Sequence, residues 1–233
     1  MEIHKKAAVA EEQEMEQEIP LFPLQRVLYP SVSLPMQIFE QRYLRLVKES
    51  LATQTAFGVV PIVGGREVGS TPEISPRGTL VNIVDWSQLP NGLLGVVVKG
   101  VQRFTVGSTR VEADGLLLGK VRLKTEEDTV PLVPEDMDLV ALLIDLARQL
   151  GVEEYYLGDN LTVALADGLH SENDEGLLTD ERVTAELDRA ALVWRLADLL
   201  PVAMSKKIAL FDVVDAEARM AEVRGWLLAL QSR

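Results

Sequence analysis

Cysteine is absent from the 233 residues, and histidine occurs only twice, as His4 and His170. The first absence excludes disulfides, thiolate metal sites and cysteine nucleophiles, and it suits a reducing, cytoplasmic setting. The second makes a histidine-built metal centre a poor fit. Basic residues are also scarce: 23 Lys and Arg stand against 36 Asp and Glu, a net charge of −13. Phosphate backbones and anionic lipids reward clustered cations, so the balance argues against nonspecific nucleic-acid or membrane-surface binding. No apolar run approaches the roughly 18 residues that a membrane-spanning helix needs. The leader, residues 1–18, holds two Lys and six Glu and lacks the apolar stretch of a secretory signal. It reads as a disordered acidic tail or, at most, a marginal helix. What is present is apolar material, 47% of the chain. That is enough for a proper core in one large domain or two small ones.

Two halves differ in period. Residues 19–131 read as strands punctuated by Gly and Pro, with candidates at Ile19 to Leu24, Ala56 to Val63, Gly78 to Trp86, Leu93 to Val98, Val101 to Val106 and Leu116 to Lys124. Short strands so closely spaced predict a small barrel or folded sheet rather than βαβ units. One helix interrupts them, with Phe39, Tyr43, Leu46, Val47 and Leu51 spaced to pack on the sheet. Residues 132–233 change to helical spacing. A helix from about Asp136 ends at Gly151, and Leu187 to Leu200 is apolar on most sides and stops at Pro201. Met204, Ile208 and Phe211 mark a short helix. The last begins at the capping Asp215 and runs through Ala216, Met220, Val223, Leu227 and Leu230. Gly158 to Arg182 is acidic and contains glycine, as a long loop would be. Charge follows the same division: −4 for residues 1–18, +2 for 19–131 and −11 for 132–233.

Several kinds of chemistry fail on inspection. GGREVGST, Gly64 to Thr71, has a phosphate loop's glycine spacing but no lysine. GLLLGK, Gly115 to Lys120, is one residue short and lacks the following Ser or Thr. No serine elbow accompanies His170. Glu126, Glu127 and Asp128, like Glu153 with Glu154 and Asp174 with Glu175, are neighbours in polar sequence, where carboxylates are ordinarily solvated. Asn173 to Gly176 lacks the ligand alternation of a calcium loop. Lys120, Arg122 and Lys124 alternate on one strand face, yet no aromatics for base stacking are interleaved.

The order of motifs carries more than any single residue. IPLFPLQRVLYPSVSLPMQIFEQRY, Ile19 to Tyr43, resembles the opening of the Lon protease N-terminal domain family in its standalone bacterial form. FGVV at Phe57, GREVG at Gly65, GTLVNIVD at Gly78 and GVQRFTV at Gly100 follow in register, and LADLLPVAMSKKIALFDVVDAEARM, Leu196 to Met220, resembles the family's closing helices. The closing block departs where Lys207–Ile208 and Leu210–Phe211–Asp212 replace the family's usual residues, and Gly158 to Arg182 has no counterpart in the pattern. The resemblance implies an α+β fold: a β-rich, PUA-like pseudo-barrel with one packed helix, followed by a helical bundle. It also implies a role in recognising substrate proteins, with the ATPase and proteolytic modules lying elsewhere. The expectation is therefore a non-enzymatic polypeptide-binding module without cofactor, an adaptor or regulator working with a protease or chaperone.

Two segments supply candidate contacts. Leu34, Pro35, Met36, Gln37 and Ile38 form a mostly apolar stretch before the first helix. Trp86, Leu89 and Leu93 flank a Pro-Asn-Gly turn. Methionine adapts to varied partners and turn-borne aromatics are common contact points, so these eight make a candidate patch for extended or unfolded segments, paired to a free sheet edge. The competing reading of the same residues is core and hairpin packing. PUA-like sheets used for RNA or small molecules elsewhere are a second functional reading, and a carboxylate site between the halves is a third.

Overall fold

The computed structural model describes residues 16–69, 71–125, 129–166, 180–184 and 186–232. His4, His170, Asp174, Glu175 and the Glu126 to Asp128 cluster lie outside the described residues, as do most of the leader and of the acidic excursion.

The β half contains β1 (Glu16–Leu24), β2 (Ser33–Ile38), α1 (Gln41–Thr53), β3 (Phe57–Gly64), β4 (Glu73–Ile74), β5 (Arg77–Gln88), β6 (Leu94–Val111) and β7 (Leu117–Leu123). The strands run β1-β7-β6-β5-β3, and a parallel pairing of β1 with β3 closes the ring. Closure leaves no free edge along this path, the usual solution for a short-stranded sheet. Ile19, Leu21, Val60, Phe104, Leu117 and Val121 fill the interior. The backbone must approach Phe104 closely to fit it, because a Cβ at Gly78 would stand 2.5 Å from the ring and one at Gly58 2.7 Å.

The structure revises four expectations in this half. Leu34 to Ile38 belong to a strand, β2, that alternates buried and open residues. The two strands expected at Leu93 to Val98 and Val101 to Val106 are one, β6; Gly100 lets it continue past Tyr29, whose carbonyl oxygen would lie 2.1 Å from a Cβ there. β1 begins at Glu16, three residues inside the stretch read as tail. Helix α1 buries Arg42 and Ser50 beside Tyr43, Leu46 and Val47, while Phe39 precedes it at 54% exposure and Leu51 faces outward.

The helical half contains α2 (Met137–Leu150), α3 (Glu153–Tyr156), α4 (Gly158–Ala166), α5 (Glu181–Thr184), α6 (Arg189–Leu199), α7 (Met204–Ala209) and α8 (Ala216–Gln231). Gly151 ends α2 in the left-handed conformation, at φ 64°. Asp188 and Asp215 cap α6 and α8 by accepting from the Ala191 and Ala218 N–H groups. Within Gly158 to Arg182, α4 replaces the expected loop over its first nine residues. One hydrophobic cluster unites the halves, running from Phe22, Tyr29 and Leu34 to Leu143, Trp194 and Val223. Among the described residues no helix is long and apolar enough to cross a membrane.

Candidate functional site

Strand β2 projects from the barrel. It pairs with residues 94–99 of β6 and, among the described residues, has no other strand partner. Pro35 sits in its middle without an N–H to give, which a strand tolerates when one edge is unpaired. Alternation divides the predicted residues. Leu34 and Ile38 are buried in the core, and Met36 is half-buried against it. Pro35 and Gln37 are exposed on the opposite face. Trp86 is 60% exposed near the end of β5; Leu89 and Leu93 are half-buried at the turn, where the Leu89 N–H donates to the Leu93 carbonyl at 2.9 Å.

Two cavities flank β2. The first, about 290 Å³, lies between β2 and β1 and is lined by Phe22, Leu34, Met36, Ile38, Phe39, Tyr43 and Val68, with Arg26, Glu40 and Glu67 at its polar margin. Phe22 stacks on Tyr43 with ring centroids 4.1 Å apart, and the Arg42 guanidinium lies 4.7 Å from the Tyr43 ring. Burial pushes the Tyr43 hydroxyl up to about 12. Arg42 donates to the Gly115 carbonyl at 3.0 Å and pairs with Glu40 at 2.8 Å, which fixes that end of the cavity. The second cavity, about 340 Å³, lies between β2 and β5 and is lined by Met36, Gln37, Asp85, Trp86, Leu89, Val97 and Tyr155. All eight predicted residues thus cluster around β2, seven of them lining a cavity, and Leu93 supports the hairpin. Sequence reasoning missed Phe39, Tyr43 and Val68 as cavity residues. It also missed Tyr155, which arrives from the helical half; the only signal was an aromatic pair among the acids of EEYY.

Among the described residues, other chemistry finds no site. The buried acids Asp136 and Asp198 are each matched to arginine. Arg189 clasps Asp136 at 2.7 and 3.0 Å, and Arg26 meets Asp198 at 2.6 Å beside the Tyr156 hydroxyl. Among the described residues no group of three or more His, Cys, Asp and Glu could hold a metal. The basic face of β7 is also occupied: Glu16 lies opposite Arg122 and Glu18 opposite Lys120, with an Arg122–Glu16 pair at 3.1 Å and an Arg110–Glu18 pair at 2.7 Å. Cations matched in this way do not form a groove for phosphates.

The family model of the ATP-dependent protease La (LON) substrate-binding domain matches residues 18–229. Lon protease 2 of Myxococcus xanthus is 27% identical over 210 residues, which cover 89% of this chain and 23% of that protein. The LON peptidase N-terminal domain and RING finger protein C14F5.10c of Schizosaccharomyces pombe is 25% identical, over 95% of this chain and 47% of its own length. The chain therefore spans less than half of each of these relatives. Among solved structures, the Lon N-terminal domain protein from Xanthomonas campestris superposes with a TM-score of 0.62 at 27% identity, covering 90% of this chain and 98% of that one.

Proposed function

The chain belongs to the ATP-dependent protease La (LON) substrate-binding domain family, and from that membership and the cavities beside β2 we propose that it is a non-enzymatic module that binds extended or unfolded polypeptide segments. In this reading it acts as an adaptor or regulator, presenting clients to a protease or chaperone. One observation carries the proposal: an edge of β2 with no strand partner among the described residues lies between two partly apolar cavities, with Trp86 and Phe39 left 60% and 54% exposed beside it. Exposed aromatics gathered beside a groove support an interaction surface. Segments laid along β2 would place alternate side chains toward the two cavities. Pro35 limits ladder hydrogen bonding at the middle of the edge, so side-chain burial supplies most of the affinity.

The test is fluorescence anisotropy with labelled, unfolded casein as client. The wild type should bind it, and Met36→Ser with Trp86→Ser should weaken binding at least about tenfold, the scale of two partly buried apolar contacts. Trp86→Ser alone should melt as cooperatively as the wild type, since its ring is mostly in water. Unchanged affinity in the double variant would place the site elsewhere, and a lost cooperative melt in Trp86→Ser would make that ring part of the core.

A further inference from the structure

Of the three tryptophans, Trp194 and Trp226 are buried and Trp86 alone is open. A register shift between Ile83 and Asp85 interrupts the β5 and β6 ladder just before it. Such bulges re-aim the residues that follow them. Beyond the bulge Trp86 stands opposite Val96, which in turn stands opposite Met36, so one row crosses three strands and ends on the exposed indole. Tyr155 closes the same cavity from α3. Among the described residues Asp85 is the one carboxylate lining it, and it is oriented by accepting the Trp86 backbone N–H at 2.8 Å. The Tyr155 phenol is held above its ordinary range, chiefly by its hydrogen bond to Glu154, with burial and the charges of Glu154 and Asp85 adding to it. Asp85 is thus the carboxylate at the aromatic rim, and among the described residues no Lys or Arg lines the cavity.

Resting on the polypeptide-binding reading, we propose that the Trp86–Tyr155 cavity takes the cationic side chain, lysine or arginine, of the bound segment. Indole and phenol faces attract a cation through their quadrupoles, and a carboxylate at the rim completes the match while the aliphatic stem lies on Met36. The surrounding charge agrees in sign: the helical half that supplies Tyr155 carries −11 over residues 132–233. The cavity thus separates clients by charge, favouring basic over acidic segments of equal apolarity.

The experiment compares two capped seven-residue peptides, apolar except for a central arginine in one and its neutral isostere citrulline in the other. The full chain is titrated at low salt, with tryptophan emission and peptide anisotropy both read. The arginine peptide should bind about fivefold tighter, the scale of an exposed cation on an aromatic face with one carboxylate. Asp85→Asn keeps the acceptor oxygen for the Trp86 N–H and removes the charge, so it should shrink that preference, as should Trp86→Leu. Equal affinity of both peptides for the wild type would overturn the cation pocket and leave polypeptide binding standing. A preference undiminished in both variants would overturn its location. Binding of neither peptide would overturn the polypeptide reading and the pocket with it.

Discussion

Arg195 is on α6, in the middle of the apolar run that identifies the buried helix, yet its guanidinium is enclosed and donates to the carbonyls of Tyr156, Leu157, Glu186 and Ser31 at 3.0 to 3.3 Å. Burial pulls its pKa down, so those carbonyls are what keep a charge tolerable there. Its neighbour Trp194 has the Arg219 guanidinium 4.4 Å and that of Arg103 5.5 Å from its ring, with Tyr29 stacked at 4.8 Å. The apolar run that holds Trp194 was legible in the sequence. The buried arginines were not, because a charge in a helical pattern ordinarily marks the solvent side and nothing local announces the carbonyls that receive it. The tyrosines give a pH prediction at this scale. Burial raises the Tyr29, Tyr43 and Tyr156 hydroxyls above the ordinary value of 10.0. A group raised in the folded state contributes stability in full below its unfolded pKa and loses it as pH rises toward the folded one. Denaturant midpoints should thus hold steady up to about pH 9 and fall above about pH 10; a midpoint flat to pH 12 would show these phenols accessible.

Element boundaries separate what pattern reveals from what pairing imposes. The α8 helix and its Asp215 cap are read directly from spacing, since both depend on neighbours within a turn. β2 was not legible as a strand: only its pairing with β6 turns Leu34, Met36 and Ile38 inward and leaves Pro35 and Gln37 out. The start of β1 at Glu16 was equally hidden, because its acids look like tail until Arg122 and Lys120 stand opposite them. Two predictions belong here. Gly225 lies inside α8, exposed, with nothing within 4 Å of the place a Cβ would occupy. Gly225→Ala should therefore stabilise the protein by about 0.5–1 kcal/mol in chemical denaturation; a loss of stability would mean that the open position is filled. Pro35→Val should restore an N–H and a strand-forming side chain to the β2 edge. Because unpaired edges invite pairing between copies, it should show concentration-dependent association by sedimentation where the wild type shows less. Equal association of the two would remove Pro35 from the management of that edge.

Over the whole molecule, a closed barrel and a set of helices share one apolar cluster, so the helices brace the face from which β2 projects and contribute Tyr155 to its rim. Charge is arranged on the same scale. Of the net −13, residues 132–233 carry −11, while residues 19–131 are close to neutral. That arrangement discourages nonspecific nucleic-acid binding and leaves the β2 cavities to apolar contact with an acidic surround. The α+β class and the two periods were visible in the sequence because each rests on repetition. The convergence of β1, β2, β5 and α3 on two cavities was not, since it depends on strand order and on a bulge. The most direct measurement is hydrogen exchange of the full chain with and without saturating unfolded casein. Binding along β2 predicts added protection confined to Leu34–Ile38, to Trp86–Leu93 and to the turn around Val68. Protection confined to the helices, or none at saturation, would contradict it.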